Sequence, residues 1–547
     1  MKKLKFLVPI LALALFSCSD YLDINSPSPN DLAFNQANPS KLLPGAEVSA
    51  YRIQAVNMSQ LGNVLMNSWT RNVAVFGNGF DRELQLQIDN GFYTGIWDGL
   101  YRQLKNFDAI IKYPNPNHQY DNYIAAAKIC KVHYMQQIVD LYGNCPYSQA
   151  WQGISNTTPT YDKDYDIYKA LVTELEDART LIGNANPAAD DISAFDVMLL
   201  GDMAKWNEFA NTLQLRICVR MSEVTGAKAT YRDQKLADIA SGPFISGDVK
   251  VNPGFSNANN DQQNPAWGYY CYDAAGNVLQ NRTFITMTGH AYKALQNYAT
   301  TNWAAFGNNY EIVSGTGVNY PNVTDPRSAK LFTAATGQPR RAVTQGNSGV
   351  DVSTPTGIVP NTQLLPCRIG LSGNFNPAGQ AATTGYDGID GYVMTTSESY
   401  LLQAEAALRW TSLSFPMAAQ DAFEAAISDN FTLRNATLGN YITTINTLPY
   451  FGWTGTDTQK IHAIMYQKWI ATMGTYNPIQ SFIDYNRTGF PYTPLSTNAV
   501  QSRKPYRLIY PVSEYVANSA NVPTVNPNDI FTLNNLTPFW VPGAPGN

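Results

Sequence analysis

Apolar positions recur at three- and four-residue spacing through much of the first half of the chain. In 119–142, Ala125, Ile129, Val132, Met135, Val139 and Tyr142 fall on one face, which is the period of an amphipathic helix. A second helix is predicted from Asp164, with Ile167, Leu171, Leu175 and Ala178 as its stripe. A third covers 201–223, with Trp206, Phe209, Leu213, Ile217 and Met221 on one side. A weaker one over 228–240 stops before Gly242-Pro243, a helix-ending pair. Asp162, Asp164 and Asp166 crowd the start of the second helix, where carboxylates cap free backbone N–H groups and complement the dipole. They do not make a calcium loop, because Ile167 and Thr173 stand where that loop needs Gly and Glu.

The pattern breaks between 243 and 395. This stretch holds 18 of the 38 glycines and only 16 charged residues among 153. Long helices are excluded there, and loops with short strands plus one helix near 288–300 are expected. Helical periodicity returns over 396–410, 416–430 and 457–474, with a shorter segment at 478–485. The tail from about 487 is proline-rich and is expected to wrap the surface. Paired helices without a parallel-sheet pattern predict a mainly α fold of stacked hairpins. A strict 34-residue repeat is not visible, so any tetratricopeptide-like units are degenerate.

The N-terminus changes the compartment. Lys2, Lys3 and Lys5 precede an apolar run from Phe6 to Phe16, too short to span a bilayer and arranged like a secretory signal. It ends in Leu15-Phe16-Ser17-Cys18, which resembles a bacterial lipobox. The expected organisation is a signal peptide at 1–17, a lipidated Cys18 and tether over 18–40, and a helical scaffold over 41–242. A loop-rich lobe over 243–395, a second scaffold segment over 396–486 and the tail over 487–547 follow. The remaining cysteines (Cys130, Cys145, Cys218, Cys271 and Cys367) form no Cys-x-x-Cys pair, and an odd number does not suggest a disulfide framework.

Composition then narrows the chemistry. The net charge is −5, with 14% charged residues against 12% aromatic. A nucleic-acid partner is excluded, since it requires a basic stripe. There is no zinc helix, nucleophile elbow, phosphate loop or dinucleotide fingerprint. The four histidines (His118, His133, His290 and His462) are scattered and read as structural. Glu398 and Glu405 lie seven apart on one helix face, about 10 Å along the axis. A glycosidase pair normally comes from separate elements around a cleft, so these two are expected to serve packing.

The aromatic loops carry the functional signal. Trp267, Tyr269, Tyr270 and Tyr272 lie within six residues, flanked by Asn264 and Asp273. Trp303, Tyr310 and Tyr320 follow. Tyr450, Phe451 and Trp453 form a later cluster, and Trp69, Arg71, Asn72 and Phe76 an earlier one. Aromatic faces beside Asn, Asp and Arg suit the apolar C–H faces and hydroxyls of sugars, and would also suit an extended peptide. The candidate ligand residues are Trp69, Asn72, Trp267, Tyr269, Tyr270, Asp273, Tyr310 and Tyr320. Asp387 and Asp390, near Gly385, Gly388 and Gly391, could hold a structural calcium ion or serve a turn.

Seven blocks in order resemble the SusD/RagB-like outer-membrane lipoproteins. They are the lipobox with Asp20-Tyr21-Leu22-Asp23-Ile24-Asn25, IVDLYGNCPYSQAWQG at 138–153, GDMAKWNEFANTLQLRICVRMSEV at 201–224 and Asp325-Pro326-Arg327. SESYLLQAEAALR at 397–409, QKWIATMGTYNPIQSFIDYNRTGFP at 467–491 and KPYRLIYPVSEYVANSANVP at 504–523 complete the series. Two departures are Cys145 in place of an aliphatic residue, and Tyr485-Asn486-Arg487 where an Arg pair is common; the second bears on a buried charge pair. The resemblance implies four tetratricopeptide-like hairpins, near 91–140, 164–222, 396–431 and 457–485, with 243–395 as the ligand lobe. It further implies a non-catalytic surface lipoprotein without a cofactor. Such a protein captures oligosaccharides, or peptides in some members, as the lid of a SusC-like TonB-dependent transporter. A purely structural helical adaptor and a glycosidase are the competing readings.

Overall fold

The computed structural model describes residues 38–296, 321, 323–337, 340–351, 358–359, 365–375 and 389–547. The lipobox with Cys18, the tether up to residue 37, Trp303, Tyr310, Tyr320 and Asp387 lie outside them. The first described helix is α1 (Pro39–Ile53), capped by the Asn38 side chain with Pro39 in its first turn. It therefore begins one residue before the end of the segment read as tether. Pro at this position needs no N–H and is preset for a helix.

Four hairpins follow. α2 (Thr94–Ile111) pairs with α3 (Asp121–Tyr142), and α4 (Asp164–Asn184) with α5 (Met203–Arg220). After the short α6 (Gly226–Ala237), the looped lobe intervenes. Then α7 (Thr396–Arg409) pairs with α8 (Ala419–Leu433), and α9 (Asp457–Thr472) with α10 (Ile479–Thr488). α5 packs on α7, which joins the two halves into one scaffold. The start signals are local: Asp202 accepts from Ala204 N and Lys205 N, Thr395 accepts from Glu398 N, and Thr456 with Gln459 forms a capping box. Each satisfies donors that a helix start leaves open.

Two details depart from the sequence pattern. α3 buries 20 of its 22 residues rather than one face. Its second face is polar, and His133, Gln136 and Asp140 find partners inside the stack: Arg216 Nε donates to Gln136 Oε1 at 2.9 Å, and Tyr168 O–H donates to Asp140. Asp162 does not cap α4. Its carboxylate accepts from Tyr147 N at 2.9 Å and Ser148 N at 2.8 Å, tying down the preceding loop. The tail also goes deeper than its proline content suggests. Leu508, Tyr510 and Trp540 are wholly buried, and Leu508 N donates to Leu141 O at 2.6 Å. The five cysteines are buried and free.

An interior charge network clamps the hairpins. Asp484 accepts from Arg220 at 2.5 Å, Lys468 at 2.7 Å and Arg487 at 3.2 Å. Arg487 grips Glu405 with two contacts of 2.6 and 2.8 Å. Arg327, of the Asp325-Pro326-Arg327 block, binds Asp325 at 2.7 Å, Asn430 at 3.0 Å and Gln467 at 2.7 Å. Buried charges of this kind persist only when paired.

Candidate functional site

Short strands assemble the lobe onto the scaffold. β1 (Trp69–Arg71) pairs antiparallel with β2 (Ile285–Met287), matching Trp69 to Met287 and Arg71 to Ile285. Asn72 continues the pairing, with its N donating to Phe284 O at 2.7 Å. The aromatic clusters at 69–76 and 267–272, more than 190 residues apart in sequence, thus become neighbours, with the Trp69 and Tyr270 rings in contact.

Packing decides which aromatics face outward. Trp69, Trp267 and Tyr270 are all buried, at 0, 1 and 0% exposure. The Trp69 and Tyr270 rings meet edge-on at 5.2 Å, Trp267 packs on Phe375 and Tyr272 at 5.5 Å each, and Tyr270 O–H donates to Val56 O at 2.7 Å. A ring without an accessible face cannot stack on a ligand, and these three rings are packed into the interior. The reason lies in the lobe's composition: with few long aliphatic stretches, it uses its aromatics as core. Asn72 is likewise spent on structure. Its Nδ2 donates to Thr283 O at 2.9 Å and its Oδ1 accepts from Ala74 N at 3.1 Å. Asn264 closes the turn that leads into residues 267–270, accepting from Ala266 N at 2.9 Å and Trp267 N at 3.2 Å.

Tyr269 does face solvent, at 40% exposure. Its ring stands edge-on to Tyr270 at 5.0 Å, and its carbonyl accepts from Asn281 Nδ2 at 3.0 Å. Val75 and Val278 are exposed in the segments joined to it. Phe76 and Phe284 are half-buried, with rings 5.2 Å apart, and Phe80 meets Phe284 at 4.9 Å. Gly79 passes under that ring with φ +127°, and a Cβ there would lie 2.4 Å from it. Val75, Val278 and Phe284 were not singled out in the sequence, since isolated apolar residues in loops carry no periodic signal.

Polar groups rim this face. Arg71 holds Asp81 at 2.7 Å, and Arg282 lies over the Tyr272 ring at 5.3 Å while donating to Ile369 O at 3.1 Å. Asp273 accepts from Asn277 N at 2.7 Å and Asn277 Nδ2 at 2.9 Å, closing a turn. These bonds from Asn277 hold the Asp273 carboxyl below its ordinary range. Of the eight sequence candidates, Tyr269 and Asp273 offer accessible groups, four lie inside or at the base, and two fall outside the described residues.

The remaining chemical candidates resolve into structure. Burial pushes the Glu405 carboxyl up, but Arg487 and Arg409 outweigh it and hold it down. Glu398 is raised by burial, and its closest charge partner, Arg216, stands at 3.9 Å. The Glu405 side chain is thus wholly engaged by guanidiniums. His133 is buried against Arg216, and burial followed by that charge lowers its pKa well below the usual value. Asp390 accepts from Asn252 Nδ2 at 2.8 Å and pairs with Lys250 at 3.1 Å. Tyr450, Phe451 and Trp453 sit between α8 and α9, with Trp453 on Phe423 at 5.2 Å, apart from the lobe. Among the described residues, no helix is long and apolar enough to cross a membrane.

A family model described as SusD-like, "Starch-binding associating with outer membrane", matches residues 29–249 and 277–511. A SusD homolog from Parabacteroides distasonis shares the fold at TM-score 0.67 and 18% identity, covering 94% of this chain and 99% of its own. A chitin-binding SusD homolog from Flavobacterium johnsoniae aligns at TM-score 0.62 and 19% identity, covering 88% and 94%. A further chitin-binding protein aligns at TM-score 0.59 and 22% identity, covering 88% and 95%. No curated protein matches the chain.

Proposed function

The chain belongs to the SusD-like family of starch-binding proteins associating with the outer membrane, and from that membership we propose that it captures oligosaccharides without catalysis. The observation that carries this reading is the outward Tyr269 ring, held edge-on by buried Tyr270 at 5.0 Å. A fixed aromatic face costs little ordering entropy on binding a sugar ring. The low charge of the lobe favours a neutral, hydroxyl-rich ligand over an ionic one. The chitin-binding neighbours support a glycan as ligand class.

In this reading Cys18 anchors the chain by its acyl groups at the cell-surface face of the outer membrane. The scaffold seats the lobe as a lid over a SusC-like TonB-dependent transporter, and captured glycan passes to the barrel. The test is calorimetric titration of the full chain in detergent with maltoheptaose, chitohexaose and a tryptic peptide digest. Saturable binding of one oligosaccharide is expected. Tyr269→Ala should weaken it by about 1–3 kcal/mol, while the unfolding midpoint changes little. An unchanged affinity in this variant removes Tyr269 from the site, and binding of the digest alone replaces the glycan with a peptide.

A further inference from the structure

A cavity of about 970 Å³ opens on the scaffold. The ends of α7 and α10, the first turn of α9, the loop after α5 and the tail enclose it, and none of its lining residues belongs to 243–395. Its size is that of an ordinary small-ligand site.

Its guanidiniums are unequal. Arg409 is shared between Glu223 at 2.9 Å and Glu405 at 2.7 Å, Arg232 pairs with Asp233 at 2.8 Å, and Arg487 with Glu405 at 2.6 Å. Arg503 has no carboxylate partner among the described residues. It lies over the Tyr506 ring, its Nε donates to Lys504 O at 2.9 Å, and one terminal nitrogen reaches Asn486 Oδ1 only at 3.5 Å. The terminal edge of this fork is the part suited to a two-point grip on a carboxylate. Burial lowers its pKa to about 10, so it remains charged at neutral pH.

We propose that this cavity is a second ligand site, taking a carboxylate-bearing sugar such as a uronate. Arg503 holds the carboxylate. Tyr485, Phe490 and Trp410 offer apolar wall to the sugar ring, and Glu223 accepts its hydroxyls. Arg503 is a cation without a carboxylate partner among the described residues, and the Glu223 and Asp457 carboxylates on the same wall, held by Arg409 at 2.9 Å and Lys460 at 3.7 Å, disfavour the second charge of a phosphate dianion. The same two carboxylates disfavour an acidic peptide, which brings no hydroxyls to offset the repulsion.

The experiment titrates the full chain with sodium glucuronate, the methyl ester of glucuronic acid, inorganic phosphate and N-acetyl-dialanine. Saturable glucuronate binding is expected, with each of the other three at least about tenfold weaker. Arg503→Ala should weaken glucuronate by about tenfold or more, and Arg503→Lys by less. Asp457→Asn alters a side chain that is 77% exposed, leaves the fold intact, and should tighten glucuronate about twofold by removing a repelling charge. The assignment is overturned by no saturable glucuronate binding, by an equal affinity for the ester, phosphate or dipeptide, or by an Arg503→Ala variant that binds normally. A weaker or unchanged affinity in Asp457→Asn overturns it as well, whether or not the Arg503 variants fold.

Discussion

In the helical scaffold, Arg220, Lys468 and Arg487 converge on Asp484 in the interior, whereas the interior of the looped lobe holds Trp69, Trp267, Tyr270 and Phe375. Both regions are packed, but different forces set their geometry. Ion pairs are directional, so the scaffold network fixes how one hairpin sits on the next. Aromatic packing tolerates irregular backbone, so the lobe can build a core without long helices or wide sheets. The difference teaches where each region tolerates change: the scaffold is sensitive to single charges, and the lobe to the loss of large rings.

The sharpest way to break this contrast is to remove a buried charge. Arg487→Ala leaves Glu405 with Arg409 alone and Asp484 with fewer partners, and should cost about 3–5 kcal/mol in urea unfolding. A cost below 1 kcal/mol would place the scaffold's stability elsewhere. Trp267→Ala should cost about 3 kcal/mol by opening a cavity in the lobe, and should lower glycan affinity in parallel. This joint loss, compared with the binding-only loss of Tyr269→Ala, separates the core of the lobe from its face.

Acid tests the same division. Burial pushes the Asp484 carboxyl up, but Lys468, Arg220 and Arg487 outweigh it and hold it well below the usual range; Glu405 is held down likewise. For groups with depressed folded pKa values, the stabilisation is complete above the unfolded value near ~4 and is lost as pH falls towards the folded values. Thermal midpoints measured from pH 6 to pH 3 should fall steeply in the wild type, and less steeply in Glu405→Gln, which starts lower. The smallest effect is expected at the other member of the carboxylate pair. Glu398→Gln removes a charge that burial already disfavours, and should change stability by less than about 1 kcal/mol at pH 7. A loss as large as that of Glu405→Gln would show that the 3.9 Å contact with Arg216 carries more than its distance suggests.

Much of the scaffold is legible in the chain. The stripes starting at Asp164 and covering 201–223 mark α4 and α5, and the four expected hairpins pack as pairs. The site is less legible. Trp267, Tyr269 and Tyr270 are adjacent, yet only Tyr269 emerges. Three aromatics within four residues look alike to composition, and the packing of Trp267 on Phe375 and of Tyr270 on Trp69 is what sorts them. Arg503 carried no signal either, since an arginine without a partner differs from a paired one only once the chain has folded.

Periodicity, caps and the Gly-rich break settle locally which segments are helices and where regular structure stops, because hydrogen bonds and apolar stripes within one segment suffice. Contacts between distant segments settle the rest. Asp140, Arg220 and Asp484 become one interior network, Tyr510 and Trp540 of the tail become core, and Tyr269 alone of Trp267, Tyr269 and Tyr270 is left exposed. Burial belongs to neighbours brought together by folding, and the contacts that join one hairpin to the next have their partners in different segments.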